Sequence, residues 1–476
     1  MRIIKRLAVG LLPVIGLAHS QAPAPESPTP ALQHSPAAED PLLRSLIQDA
    51  LDRNPDLQKN RTLIAAEQER EPQARALPDP SLSLGIQNDG FKEIQVGKME
   101  TSYYQVMLTQ PLPWPGKRGL RGGLAKLGVE AAQTAASRTR LSLVADVKRA
   151  YFGLLLVRGQ LELLDQQDLL WRQASELTKV RYEVGQGAQA DLLRAQLEQN
   201  RLRQARLGLQ SEERGLRAGL NRLRGLDPAA AVPTSARIAD LSPQPSGSAF
   251  WLQRAERESP ELQAARIGVR QAEQSLDLAR RDRYPDFAVN LGLMPRGSLE
   301  PMWQAGVSVS LPLWSRHKQQ RAVAEQEYRR RAQGSETESV RNLLAQRIEE
   351  RSAQLEAALD TLRLYREGLL VQSEATFQAI LAQYQAGRAP FLGVLDALNG
   401  WIADRGGYLQ ALAQALAVQV AQEEFNLAGT PAITAPGLTA AAIGMGASPS
   451  AGGAAAPKSG SASAKPGEGG SAMKSM

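Results

Sequence analysis

Side chains able to ligate a metal or carry acid–base chemistry are few in this 476-residue sequence, and they do not converge. Cysteine is absent, which removes disulfides and thiolate metal sites, and the three histidines (His19, His34 and His317) lie far apart. Met99, Met107, Met294 and Met302 offer thioethers of the kind that bind copper or silver, although methionine is more often packing material. No Gly-Lys-Ser/Thr loop is present to cradle phosphates, and no nucleophile, base and acid recur together. The sequence therefore predicts no enzyme, no catalytic residue, no resident metal and no cofactor. What remains is surface chemistry: which side chains meet water, which meet hydrocarbon, and how the chain turns between them.

Four short segments carry that chemistry by alternation. In the second half Phe287, Val289, Leu291 and Leu293 alternate with Asp286, Ala288, Asn290 and Gly292, and Trp303, Ala305, Val307 and Val309 alternate with Gln304, Gly306, Ser308 and Ser310. In the first half Leu82, Leu84 and Ile86 alternate with Ser81, Ser83 and Gly85, and Tyr104, Val106 and Leu108 with Tyr103, Gln105, Met107 and Thr109. One face is apolar and the other small and polar, as in strands between lipid and a wet lumen, and about nine or ten residues is the length a tilted transmembrane strand needs. Tyr103, Tyr104, Trp114, Trp303 and Trp314 stand at strand ends, where an interfacial aromatic belt is expected. Four strands cannot close a conducting barrel, and an open edge in lipid costs several kcal/mol per unsatisfied group, so closure is expected from identical copies. Alternation alone is equally compatible with a soluble sheet packed on helices.

Between the strands run helices far longer than a globular core uses. Lys117 to Val184 contains no proline, and Leu141, Val144, Val147, Tyr151, Leu154, Val157, Leu161 and Leu164 keep the three-and-four spacing of a coiled coil. Arg316 to Ala386 is again proline-free, and Leu395, Leu398, Ile402, Leu409, Leu412 and Leu416 continue the rhythm. Gly185, Gly187 and Gly387 permit chain reversal at two helical tips, and Pro390 is placed to start the returning helix. A soluble coiled-coil rod is the plainer reading of these helices on their own.

The halves repeat each other at separations of roughly two hundred residues: Leu51-Asp-Arg-Asn-Pro-Asp-Leu-Gln58 returns as Ala255-Glu-Arg-Glu-Ser-Pro-Glu-Leu-Gln263, Leu77-Pro-Asp79 as Tyr284-Pro-Asp286, Gln110-Pro-Leu-Pro-Trp114 as Ser310-Leu-Pro-Leu-Trp314, and Tyr182-Glu-Val-Gly185 as Tyr384-Gln-Ala-Gly387. The expected organisation follows. Residues 1–20 read as a signal peptide (Arg2, Lys5 and Arg6, an apolar run, then Ala18-His-Ser20) and 21–39 as a Pro/Ala-rich spacer. The first repeat spans 40–228, with strands near 81–90 and 101–110 and a long hairpin over 117–224. A linker covers 229–246, and the second repeat 247–429, with strands near 285–294 and 302–311 and a hairpin over 315–427. A 430–476 tail rich in Ala, Gly and Ser is expected to be disordered. Much of the formal charge of +7 sits in the signal and the tail, so no nucleic-acid partner is expected. With no cysteine, no lipid anchor forms at the cleavage point.

Signal peptide, duplicated helix–strand–strand–helix units and Tyr-x-x-Gly turns together resemble the TolC family of outer-membrane efflux channels, over residues 40 to 429. The resemblance implies a mainly α fold with a small membrane β part. Three protomers would build one twelve-stranded outer-membrane barrel continuous with a periplasmic α-barrel of long coiled-coil helices. The implied partners are two further copies, outer-membrane lipid, a periplasmic adaptor protein and an inner-membrane efflux pump. The stretch Gln110 to Arg121, with Gly116-Lys117-Arg118, is similar to the heavy-metal (CzcC-like) branch; drug or organic-solute efflux and a protein-secretion exit duct share the fold. A soluble periplasmic coiled-coil adaptor fits less well, because adaptors carry one hairpin and strand-rich domains. In the family the helical tips gate the tunnel and contact the adaptor, which places Gly185, Gly187, Gly387 and Pro390 at that contact. By motif position Asp191 and Tyr384 match gating residues and Asp396 one of two constriction aspartates. Gly393 stands at the other aspartate position and Ala389 at the gating arginine's, with Arg388 adjacent.

Overall fold

Two prolines set the frame. Pro55 drives Asn54 into the extended region (φ −64°, ψ 125°), and Pro260 does the same to Ser259 (φ −65°, ψ 118°), so a helix ends before each and a new one starts. Asn54 Oδ1 accepts from the Asp56 and Leu57 amides at 2.9 and 3.4 Å, and Ser259 Oγ from the Leu262 amide at 3.4 Å. The computed structural model describes residues 40–245, 247–431 and 433; the expected signal peptide, spacer and nearly all of the tail lie outside them.

In chain order the elements are α1 (Pro41–Arg53), α2 (Pro55–Arg75), β1 (Ser81–Gln87), β2 (Tyr103–Leu112), α3 (Lys117–Glu183), α4 (Gln189–Leu223), α5 (Ser248–Glu258), α6 (Pro260–Arg281), β3 (Asp286–Arg296), β4 (Leu299–Ser310), α7 (Gln319–Leu364), α8 (Leu370–Gln385) and α9 (Phe391–Glu424). The second half thus follows the first: two short helices, two strands, two long antiparallel helices. At about 1.5 Å per residue the 67-residue α3 is ~100 Å long. A π-helical turn, Tyr365–Leu369, separates α7 from α8, in a stretch the sequence presents as uninterrupted. There the Tyr365 ring packs edge-on to Tyr408 at 6.3 Å, and Arg366 Nε donates to Tyr408 Oη at 3.0 Å.

The strands form one antiparallel meander, β1-β2-β3-β4. Their bounds differ from those expected for local reasons. β1 stops at Gln87 because Asn88 turns the chain, its Nδ2 donating to the Gly90 and Glu93 carbonyls and its Oδ1 accepting from the Gln95 amide. β4 begins at Leu299 because Gly297 (φ 63°) makes a tight reversal. Pro111 does not end β2, which runs to Leu112; β1 pairs only as far as Ser81↔Thr109, so at Pro111 no amide partner is lost on that side. α7 starts at Gln319, after a turn in which the His317 and Lys318 amides donate to the Trp314 carbonyl.

The helical core sits midway along α3. There Tyr151 to Val157 are buried without a break, enclosed by α1 (Leu43, Leu46) and the Leu412 to Ala421 stretch of α9, so periodicity lapses where burial is all round. Beside it lies a charged girdle. Glu424, at the end of α9, accepts from Arg149 Nη1 at 2.8 Å, and its backbone carbonyl from Arg138 Nη1 at 2.8 Å; Arg138 also pairs with Glu261 at 3.1 Å. Lys148 pairs with Glu423. Arg351 of α7, fully buried, donates to the Ala421, Asn426 and Ala428 carbonyls at 3.0, 2.9 and 2.8 Å and so caps α9 from outside. Burial lowers the Arg351 pKa, while burial raises that of Glu261 against the pull of Arg138. Removing one partner of such a buried set leaves charge without compensation. Glu424→Ala is expected to cost about 3 kcal/mol and lower Tm by roughly 5 °C or more by circular dichroism, with a smaller shift for Glu424→Gln; an unchanged Tm for both would contradict the girdle's structural role.

Candidate functional site: the bare sheet, its junction and the hairpin tips

Register sorts the sheet into two unlike faces. Leu82↔Leu108, Leu84↔Val106 and Ile86↔Tyr104 pair across β1 and β2, then Val106↔Leu293 and Leu108↔Leu291 across β2 and β3, then Leu293↔Trp303 and Val289↔Val307 across β3 and β4. These side chains share one face and most stand in the open: Leu84 is 74%, Trp303 78% and Val307 67% exposed. The opposite face is polar, and a hydrogen-bonded ladder crosses three strands on it, Thr109 Oγ1 to Asn290 Oδ1 at 2.9 Å and Asn290 Nδ2 to Ser308 Oγ at 3.2 Å. Such an uncovered apolar face is not stable in water. The outer edges of β1 and β4 are also unpaired among the described residues.

The five aromatic positions separate. Tyr104 and Trp303 lie on the apolar face at the end of the sheet remote from the helices, and Trp314 is exposed at the helix end, beyond β4. Tyr103 departs from the expectation: it is on the polar face, where its hydroxyl donates to Gln87 Oε1 at 2.6 Å. Trp114 departs too, being half-buried at the helix end, stacked on Tyr284 at 5.2 Å and Phe287 at 5.6 Å. Strand alternation already put Tyr103 opposite Tyr104, whereas the Trp114 contacts join segments far apart in sequence. Of the methionines, Met107, Met294 and Met302 fall on the polar face; Met294 is buried, and its methyl and that of Met107 fill the space beside Gly292.

Sheet and helices meet at Gly116-Lys117-Arg118. Gly116 turns the chain with φ 94° ahead of α3. Lys117 is buried, pairing with Asp286 at 2.9 Å and Asp282 at 3.3 Å and donating to the Tyr284 carbonyl at 3.1 Å. Asp286 in turn accepts from the Trp114 amide at 2.7 Å, and Arg118 Nε donates to the Arg75 carbonyl at 2.7 Å. The Pro-Trp motif of the first half and the Pro-Asp motif of the second therefore hold each other at this corner.

At the far end both helical tips make the same turn. The Gln186 amide donates to the Arg181 carbonyl and the Arg388 amide to the Gln383 carbonyl, each at 2.8 Å, with Gly185 (φ 75°) and Gly387 (φ 73°) in the left-handed region. Gly187 is needed for close approach: a Cβ there would lie 3.0 Å from the Tyr182 amide nitrogen. Pro390 directly precedes α9.

Polar and apolar contacts join the two tips. Arg181 Nη1 donates to the Tyr384 carbonyl at 2.7 Å, and its guanidinium lies 4.8 Å from the centroid of the Tyr384 ring. Tyr384 is buried, with Phe391 at 5.8 Å and Thr178 Oγ1 3.4 Å from its hydroxyl. The other tip residues are not gathered there. Asp191 sits 3.9 Å from Arg194 of its own helix, whereas Arg388 and Asp396 are exposed and make no ion pair among the described residues. Arg181, the cation that meets Tyr384, was missed as a site residue; its only sequence signal is its place directly before the first Tyr-x-x-Gly turn.

The comparisons agree with this geometry. The chain is 24% identical over 351 residues to the cobalt-zinc-cadmium resistance protein CzcC of Cupriavidus metallidurans, covering 72% of this chain and 79% of the relative. It is 26% identical over 363 residues to protein CyaE of Bordetella pertussis, covering 73% and 71%. The solved outer membrane protein VceC of Vibrio cholerae superposes with a TM-score of 0.66 at 17% identity, over 82% of this chain and 97% of VceC, and so shares the fold. The outer membrane efflux protein family matches at residues 46–226 and again at 251–430. A sheet with one bare apolar face, hung on a duplicated frame of long helices and matched in both copies, makes this chain a member of the outer membrane efflux protein family, a non-enzymatic conduit.

Proposed function

We propose that this chain is the exit duct of a tripartite efflux system for heavy-metal cations, exported by its signal peptide to the outer membrane. Three copies contribute four strands each to one barrel and their long helices to a periplasmic tunnel, which an adaptor protein grips at the tips and an inner-membrane pump feeds. The observation that carries the reading is the bare apolar face between two unpaired strand edges: lipid supplies what the face lacks, and neighbouring copies what the edges lack. The polar face with Thr109, Asn290 and Ser308 then lines water. The metal assignment is supported by the similarity to a cobalt-zinc-cadmium resistance protein along most of both chains.

Gating rests on the tips. Arg181 and Tyr384 hold the two hairpins of one protomer together, so that the tips close as a unit; Asp396, exposed on α9, and Asp191 face neighbouring copies or the axis, where three carboxylates attract cations. Because the Arg181–Tyr384 contact is worth about 2 kcal/mol as a charged hydrogen bond plus a cation–π contact, losing it shifts a closed–open equilibrium by roughly thirtyfold.

Three outcomes are expected. Leu84→Arg, on the apolar face, costs roughly 2–4 kcal/mol in the membrane and abolishes heat-stable assembly in outer-membrane fractions, whereas Ser83→Arg on the other face assembles; equal behaviour of the two would refute the placement. In planar bilayers Arg181→Ala and Tyr384→Ala both raise single-channel conductance or open time, and wild-type currents from both would count against the tip as gate. A strain lacking the chain becomes sensitive to cobalt, zinc or cadmium salts before antibiotics; the reverse order would transfer the substrate to organic solutes.

A further inference from the structure

On the helix side of the apolar face the surface turns cationic. Arg121 of α3, Arg283 before β3, and Arg316, Lys318 and Arg321 around the start of α7 are all exposed, and none makes an ion pair or side-chain hydrogen bond among the described residues. Between α3, the end of α6 and the start of α7 opens a groove of about 1150 Å³, lined by Gly116, Gly119, Arg281, Arg283 and Tyr284 among others. Arg280 also lines it but is engaged, with Asp277 at 3.2 Å and Glu327 at 3.7 Å. Arg281 has no carboxylate partner among the described residues and stands 5.9 Å over the Tyr284 ring.

Next to these cations the surface is apolar. Leu311, Leu313 and Trp314, between β4 and α7, are 66%, 77% and 76% exposed, and they lead the chain from the end of β4 to Arg316. A free phosphate would satisfy the guanidinium groups and leave these side chains in water. An acidic protein would need them covered by apolar residues of its own at the level where the sheet enters lipid. An amphiphile with an anionic head and acyl tails meets both demands at once, tails along the strands and head among the arginines.

We propose that this collar, with the groove beside Arg281, binds the headgroups of anionic phospholipids in the leaflet on the helix side of the membrane. The proposal rests on the reading that the apolar face lies in a bilayer. Anionic lipid fixes the depth and tilt of the sheet relative to the helices, because Lys117, Asp286 and Tyr284 tie the collar to the base of β3.

Bromine on lipid acyl chains quenches nearby tryptophan, and this separates the two ideas. The full-length chain carrying Trp303→Phe, reconstituted in bilayers, retains Trp114 and Trp314 close to the collar, with the other tryptophans in the helical body. Brominated phosphatidylcholine reports insertion itself, and brominated phosphatidylglycerol diluted into unbrominated phosphatidylcholine reports preference. The expected result is quenching by both, with phosphatidylglycerol favoured about fivefold in relative binding constant, and a preference near one for the Arg281→Gln/Arg283→Gln/Arg316→Gln/Arg321→Gln variant, whose insertion and helicity are unchanged. Absence of quenching by either lipid overturns the bilayer placement and this proposal together. Equal quenching by the two lipids in the wild-type sequence overturns the proposal alone, and so does a preference that survives in the variant.

Discussion

The amides and carbonyls along the outer edges of β1 and β4 need partners, and the described chain has none to give them. In water this is tolerable, because solvent fills the vacancies. In hydrocarbon each unmet group costs several kcal/mol, so a four-stranded open sheet cannot rest in lipid alone. The bare apolar face pulls the other way: Leu82, Leu84, Leu291, Trp303 and Val307 cannot rest in water. The two demands are met together only when lipid covers the face and further copies of the sheet extend it until it closes. Oligomerisation in the proposed duct is thus a condition of the sheet's existence rather than an addition to it.

The same constraint orders the rest of the molecule. In the proposed duct a closed barrel would join a helical tube, and the buried Lys117 leaves no polar group stranded at that seam, because it answers Asp282, Asp286 and the Tyr284 carbonyl at once. It stands one residue after Gly116, whose φ of 94°, a turn glycine takes easily, reverses the chain into α3. Trp114 stacked on Tyr284 and Phe287 seals the same corner. Because the two halves repeat, each contributes one strand pair and one hairpin, and the seam is where their repeated motifs touch.

Legibility in the sequence followed the range of the interaction. Features fixed locally could be read: the period-2 strands and the glycine turns at Gly185 and Gly387. Features made by residues distant in sequence could not. Arg181 meeting Tyr384, Arg138 and Arg149 meeting Glu424, and Arg351 capping α9 look in sequence like ordinary charges on solvated helices. The second strand, expected near 101–110, runs on through Pro111 because a strand residue can lack an amide donor where its neighbour strand has already ended. The aromatics misled differently: clustering at strand ends was visible for Tyr103 and Tyr104 alike, yet only alternation tells which of the two faces lipid.

How charge is placed along the helices explains how one part of the duct can stay rigid while another moves. The girdle around Glu424 and Arg351 is buried, multiply bonded and joined to the apolar core of α3 and α9, so no single rearrangement satisfies it elsewhere. At the tips one charged contact, Arg181 on Tyr384, joins the hairpins beside the Thr178–Tyr384 and Trp171–Phe391 contacts, while Arg388 and Asp396 stand exposed and without ion pairs among the described residues. The π-helical turn at Tyr365–Leu369 lies between these regimes, where the helix ladder is already irregular and a change of twist costs least. Opening in the proposed duct therefore spreads from the tips and stops at the girdle, so the seam with the membrane sheet is not disturbed when the other end changes shape.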